Sequence, residues 1–395
     1  MIIRIKKFIL TYLFFIICFL TNVMAQVSLK PEIITFSEPV NNAFSLPFSN
    51  SAAIEIFVST IERQFAIVNF LEDRQVNITK IPLDEYKSAT KSVLGMIDER
   101  NLLILSTSQI CILNLEENRI TNEYTTPLTV PTELTPQYFM GKLATKERPL
   151  VIAEMQPSVG QEGILDPTLH SLVYEDILAR KTLSKIVLEH PLKELPPVFW
   201  GKEIIIFKNK RKDISEPYKA LDNTLSQIEH PLCDVLNNKF KNAYIWGLVF
   251  SEKFKQAIVF CRDIQTSIPF IFYVWWENNI ISPFNFGSKM LIDIKNLMLS
   301  LDQRWVFYTA TFREENKIIN QHYLLSFDEL NYQNFAPIFL LDAKSEDRMC
   351  FISGPERIAL FRSGQILLWK LPKILQKKSV AKPKATSKIS IKRKK

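Results

Sequence analysis

Ile245-Trp246-Gly247 opens the unit on which the reading of this chain turns. Val259-Phe260-Cys261 follows across a polar gap, and residues 270–276 then run into Glu277-Asn278-Asn279 and stop at Pro283. The order is an apolar triplet with a small residue, a polar gap, a second apolar run, a hairpin and a proline. Phe139-Met140-Gly141-Lys142 and Phe199-Trp200-Gly201-Lys202 repeat the opening, and looser copies centre on Ser59, Gly95, Ser300 and Gly354. The hairpin half recurs around Glu72-Asp73-Arg74, Glu116-Glu117-Asn118, Glu175-Asp176 and Asp328-Glu329, closing near Pro82, Pro127, Pro191 and Pro337. Acidic and amide residues favour the turn, β-branched and aromatic residues the strands, and proline is pushed to the junction. Residues 270–276 are apolar without alternation, which suits a strand covered on both faces.

Each unit predicts about four short strands. The seven marker residues lie 36, 46, 60, 46, 53 and 54 positions apart. A four-stranded propeller blade has a period of about 40–50 residues. One blade cannot bury both faces alone, whereas radial packing buries them and leaves only short edges. The expected fold class is therefore all-β, a seven-bladed β-propeller-like ring. The alternative is a two-domain β-rich chain with helical insertions at 169–188 and 218–229. Ring closure requires the two chain ends to share a blade. Residues 27–36, with Ile33-Ile34-Thr35-Phe36, are the expected closing strand, beside a last hairpin at 358–361 and 365–371. Glu189-His190-Pro191-Leu192 recurs as Glu229-His230-Pro231-Leu232, and both copies are expected just before an inner strand. The chain has only nine glycines, no Gly-Gly pair and no Trp-Asp dipeptide, so no Trp-Asp-repeat or kelch motif supports the ring.

The ends read differently. Residues 1–25 form a secretory signal: Arg4, Lys6 and Lys7, an uncharged apolar run at 8–20, then Val23-Met24-Ala25 before a cleavage site at Gln26. An uncleaved anchor is the rival, but the run is short of the ~20 residues of a bilayer span. Cys18 lies inside the apolar run behind bulky Ile17, which argues against a lipoprotein. Residues 26–375 are the expected propeller-like domain and 376–395 a disordered basic tail. The tail carries nine cations and no acids, the signal three; taken from the net charge of +8, they leave the body at −4. The mature protein is thus expected to be exported, periplasmic or secreted. Its remaining cysteines, Cys111, Cys233, Cys261 and Cys350, are widely spaced, and two lie in apolar runs. That favours buried free thiols; a Cys233–Cys261 bridge is the alternative.

Chemical signatures are sparse. There is no Gly-x-Ser-x-Gly elbow, glycine-rich phosphate loop, His-Glu-x-x-His or Cys-x-x-Cys. Ser88-Ala89-Thr90-Lys91 matches Ser-x-x-Lys, but so does Ser379-Val380-Ala381-Lys382 in the tail, and the partner motifs are missing. No catalytic residue, metal ligand or cofactor site is assigned. The candidate binding residues are His190 and His230, the repeated histidines, set against packing or capping; Trp275 and Trp276, adjacent and so on opposite faces of a strand, set against core packing; and Lys392, Arg393, Lys394 and Lys395 of the tail. Trp200 and Trp246, beside repeat glycines, read as core. The leading functional expectation is a non-catalytic scaffold or protein-binding propeller in the cell envelope. The tail adds contact with anionic polymers or a membrane surface, and nucleic acid is disfavoured by export. The alternatives are a hydrolase- or lactonase-type propeller enzyme acting at the central channel, and a glycan-binding adhesin.

Overall fold

The computed structural model describes residues 29–371, apart from 47–49, 58–62, 72–73, 81–91, 97–100, 106–108, 115, 118, 126–140, 144–149, 160–164, 177–180, 192–197, 202, 209, 212–213, 285, 287–288, 316, 328–336 and 353–356. In chain order, β1 is Glu32–Thr35. Blade 1 holds β2 to β5 (Val40–Ser45, Ser51–Phe57, Arg63–Phe70, Val76–Lys80), and blade 2 holds β6 to β9 (Ser92–Met96, Asn101–Leu105, Gln109–Asn114, Arg119–Thr125). Blade 3 holds β10 to β13 (Gly141–Leu143, Leu150–Val159, Leu165–Asp176, Lys181–Pro191). Blade 4 holds β14 and β15 (Val198–Trp200, Ile205–Phe207); a separate hairpin, β16 and β17 (Lys210–Arg211, Ile214–Ser215), precedes its last strands, β18 and β19 (Lys219–Leu221, Gln227–Ile228). Helix α1 (Pro231–Lys239) follows. Blade 5 holds β20 to β23 (Ala243–Ser251, Gln256–Asp263, Pro269–Trp275, Ile280–Pro283), and blade 6 holds β24 to β27 (Met290–Leu299, Trp305–Glu314, Lys317–Ser326, Ile338–Asp342). Blade 7 is β28 to β30 (Arg348–Ile352, Arg357–Arg362, Gln365–Lys370), completed by β1.

This is a seven-bladed β-propeller. The closing strand pairs where the sequence places it, with Ile33 opposite Leu367 and Ile34 opposite Ile366. First strands of neighbouring blades lie against one another, β28 on β2, β6 on β10, β14 on β20 and β20 on β24, which sets them innermost. The apolar side chains gather between blades. Ile54, Val68, Phe70, Cys350, Phe361 and Leu368 fill the seam of blades 7 and 1. Phe260, Tyr273, Val306, Tyr308 and Phe312 fill that of blades 5 and 6. Second strands carry the continuous apolar runs because both of their faces are covered. Ala257 to Cys261 and Val306 to Phe307 are almost wholly buried. Polar bonds also close the ring: Arg348 donates to the Asn41 carbonyl, and Arg357 to the Asn50 side chain.

Several sequence expectations need correction. The described part of residues 169–188 is not helical: 169–176 belong to β12 and 181–188 to β13, and the length of those strands accounts for the long repeat interval. Residues 218–229 carry β18 and β19; the helix begins just after them, where Pro231 suits the first helical turn. The repeated tetrapeptide splits: the next described element after its first copy is inner strand β14, whereas α1 stands between its second copy and inner strand β20. Its first copy ends an outer strand, β13, and its second starts α1. The markers Ser59 and Gly354 lie outside the described residues, whereas Gly95, Gly141 and Gly247 lie in first strands. Cys233, Cys261 and Cys350 are buried free thiols, so the Cys233–Cys261 bridge is not formed. Burial pushes the Cys233 and Cys261 thiols up to about 12.

Candidate functional site

A four-stranded meander turns at one end between strands one and two and between three and four, and at the other between two and three. The disc therefore has a lower face with the former turns and an upper face with the latter. Two seams carry the buried histidines among the described residues.

The seam of blades 6 and 7 is closed. His322 on β26 is buried, its Nε2 donates to Asp347 Oδ2 at 2.8 Å, and its Nδ1 accepts from the Thr309 hydroxyl at 2.9 Å. That hydroxyl accepts from the Asn296 amide at 3.2 Å. Asp347, in the loop leading into blade 7, also accepts from Arg362 Nε and Nη2 at 2.7 and 2.6 Å and from Lys344 N at 2.8 Å. Burial alone would raise the Asp347 carboxyl; the bonds from Arg362, His322 and the Lys344 amide outweigh it and hold the group well below the usual carboxylate range. Every polar atom named in this chain has a partner inside the protein, and none is offered to a ligand.

The seam of blades 4 and 5 is built differently. There α1 buries Leu232, Cys233, Val235 and Leu236 against Phe199, Ile245, Phe250 and Val259. Asn237 of α1 brackets the Tyr218 backbone, accepting from its N–H at 2.7 Å and donating to its carbonyl at 3.0 Å. His230 caps the helix: Nδ1 accepts from Leu232 N at 3.3 Å, and the Glu252 carboxylate lies 3.1 Å from Nε2. Its ring stands edge-on to Trp276 at 5.6 Å.

At the upper ends of blades 4 to 6 the character changes. Ile264 and Ile268 flank the turn between β21 and β22, exposed by 61% and 45%; Phe270 and Tyr244 beside them are also exposed. Met290 opens β24, and Ile318, 66% exposed, follows the β25–β26 turn; both lie opposite Arg313 in their ladders. Two cations at this end rest on aromatic rings, Lys208 facing the seam of blades 4 and 5 and Arg262 that of blades 5 and 6. Lys208 lies over the Tyr218 ring at 4.8 Å, and Arg262 over the Trp246 ring at 4.1 Å.

The predicted site residues do not converge. His230 lies at the helix cap, and His190 lies on β13 opposite Leu169, in another blade. Trp275 and Trp276 do point to opposite faces: Trp276 is buried in the seam of blades 4 and 5, and Trp275 is half-buried against that of blades 5 and 6. Lys392, Arg393, Lys394 and Lys395 lie outside the described residues, as does the signal segment. Among the described residues no helix is long and apolar enough to cross a membrane, and no three His, Cys, Asp or Glu side chains gather as a metal site. Sequence reasoning passed over His322, Asp347, Lys208 and Arg262. Their partners lie in other strands, and no short motif links them.

No family model and no curated protein matches the sequence. Solved structures do. The β-propeller domain of Cps50 (Swd1) from Myceliophteria thermophila is 12% identical, with 86% of this chain and 100% of that one covered and a TM-score of 0.48. Hsv2 from Kluyvelomyces marxianus is 11% identical over 85% and 90%, with a TM-score of 0.46, and Hsv2 from Kluyveromyces lactis 8% over 83% and 91%, also at 0.46. At such identities the likeness is one of fold.

Proposed function

We propose that this protein is a non-catalytic propeller that holds a protein partner on the upper face over blades 4 to 6, and that it works in the cell envelope after export. The observation that carries this reading is the band of exposed apolar side chains, Tyr244, Ile264, Ile268, Phe270, Met290 and Ile318, gathered at one end of adjacent blades. Contiguous exposed apolar surface marks interaction sites more often than chance. The buried titratable side chains point the same way, since His322, Asp347 and Arg362 are bonded to one another and His230 to Glu252. The N-terminal signal supports export, and the basic tail supports added attraction to anionic envelope polymers.

The test is a photo-crosslinking amino acid placed in turn at Ile268 on the upper face and at Leu301 in a lower-face turn. The reading requires one discrete protein adduct from Ile268, lost in an Ile264→Ser/Phe270→Ser background and absent from Leu301. Equal labelling from both faces would sink it. Export is tested separately, by N-terminal sequencing of the fractionated protein, which should begin at Gln26.

A further inference from the structure

We infer that the upper rim of blade 5 receives an acidic, apolar segment of a protein partner, with Lys208 on its blade 4 side and Arg262 on its blade 6 side meeting the carboxylates and Tyr244, Ile264, Ile268 and Phe270 the apolar side chains. This deepens the docking reading above and rests on it.

The starting point is two cations without anions. Lys208 follows the second strand of blade 4 and is only half exposed, yet no described carboxylate comes within 4 Å of its ammonium. Its removal from water pulls its pKa below the usual lysine value. Arg262, on the second strand of blade 5, likewise has no described carboxylate, and its Nε is buried without a hydrogen-bond partner. Both cations are held in place by aromatic faces, Tyr218 and Trp246, at 4.8 and 4.1 Å. A cation–π contact orients a charge but returns less than the removal of a cation from water costs. Arg362, by contrast, is paired with Asp347, and Arg357, over the Phe70 ring, at least donates to the Asn50 side chain. The nearest acid in the sequence, Asp263, is occupied: its Oδ1 accepts from Gln265 N, Thr266 N and the Thr266 hydroxyl.

The exposed apolar side chains adjoin Arg262, and Lys208 rests on Tyr218 beside them in the next seam. Tyr244 lies opposite Arg262 in the β20–β21 ladder, and Arg262 lies opposite Pro269 in the next. Ile264 and Ile268 flank the turn between these strands, and the Phe270 ring is 6.1 Å from Phe272. Tyr218 joins the patch to Phe199 behind it. A partner chain that lays apolar side chains here brings carboxylates to positions that complete both cations. A membrane or polyphosphate fits less well. Those surfaces reward a dense row of cations, whereas this rim interleaves two cations with apolar groups, and Glu314 and Glu315 stand on the neighbouring upper-face turn of blade 6.

The experiment selects from a random peptide display library on the full-length mature protein. One enriched peptide is then measured by fluorescence polarisation against wild type, Lys208→Met, Arg262→Met, Lys208→Arg and Ile268→Ser. The expected result is enrichment of Asp or Glu beside Leu, Ile or Phe. Each Met variant should bind ~10-fold more weakly, and Lys208→Arg near wild type. The peptide with its acids changed to Asn or Gln should lose the same factor and show no further loss on the Met variants. No enrichment, enrichment without acidic bias, or unchanged affinity in the Met variants overturns the inference. So does binding of phosphatidylserine vesicles through both cations with no peptide selected. If Ile268→Ser abolishes binding while the Met variants do not, the face still docks a partner and only the carboxylate recognition falls. If none of the upper-face variants changes binding, the docking reading falls with it. Thermal midpoints near wild type for the Met variants show that a lost affinity is not lost folding.

Discussion

The seams at blades 6–7 and 4–5 each contain a buried histidine, an acid and nearby cations, and they handle these groups in opposite ways. Between blades 6 and 7, His322, Asp347, Arg362, Thr309 and Asn296 form one continuous chain of bonds. Between blades 4 and 5, His230 and Glu252 pair at the lower end, while Lys208 at the upper end rests on an aromatic ring, as Arg262 does on the other face of blade 5. Buried polar groups stabilise a fold when all of them are satisfied. A seam that leaves charges unmatched gives up stability locally, and such a loss is common where surface is reserved for binding. The difference separates a structural seam from a receptive one, and substitutions on each side can break or sharpen it.

The largest effect is expected at Asp347. Asp347→Ala leaves Arg362 and His322 facing each other without the carboxylate between them. Removal of one partner from a buried ion pair costs about 3–5 kcal/mol, to be read as a drop in the urea midpoint at neutral pH. The pH dependence has a definite sign. The folded carboxyl is held below its unfolded value of about 4. Its contribution is therefore complete above that value and declines as pH falls through the acidic range towards the folded pKa. Wild type should lose stability below about pH 4 more steeply than Asp347→Asn. Parallel curves would mean that the chain of bonds does not hold this seam.

The receptive seam has its own rigid point. Gly201 is buried, and a Cβ placed there would lie 2.5 Å from the Phe250 ring of the next blade and 2.8 Å from the Ile204 carbonyl. The ring can shift; the carbonyl, which accepts the Gly201 N–H at 2.9 Å, is part of the turn. Gly201→Ala should cost about 1–3 kcal/mol by overpacking, measured by thermal unfolding. A neutral result would show that blades 4 and 5 are loosely joined at their centre.

Gly201 also shows what the sequence made legible. The triplet-and-glycine marker points to inner strands because only small residues pass where first strands crowd, and that spacing carried the blade count. The acidic turns between third and fourth strands were equally plain, since turn chemistry is local. The polar seams were not legible. Thr309, His322, Asp347 and Arg362 lie on four different elements, and only radial packing brings them together. The repeated Glu-His-Pro-Leu misled for a physical reason. Proline suits the end of an edge strand as well as the first turn of a helix, so identical tetrapeptides took different structures. What decides α1 is the run after Pro231, where Leu232, Val235 and Leu236 recur at helical spacing and bury one face.

The capping histidine offers a smaller test. His230→Ala removes the acceptor for Leu232 N and the partner of Glu252, and should lower stability by about 1 kcal/mol. His230→Asn should recover part of the loss, because asparagine caps helices well. An effect as large as that of Asp347→Ala would erase the distinction between the two seams.

The smallest expected change is the most discriminating. If Lys208 served the fold, its replacement would cost stability as the Asp347 change does. Its ammonium instead has no described carboxylate, and burial disfavours its charge in the folded state. A lysine whose folded pKa is lowered subtracts from stability at every pH below its unfolded value, and the loss fades only as pH rises into the alkaline range. Lys208→Met keeps the apolar stem over Tyr218 and removes that charge. The thermal midpoint at neutral pH should therefore stay level or rise, by no more than about 0.5 kcal/mol in stability, and the gain should shrink above pH 10. A clear loss would mean that the cation is needed to hold the seam together, and the seam of blades 4 and 5 would then have no unmatched cation at its upper end to offer a partner.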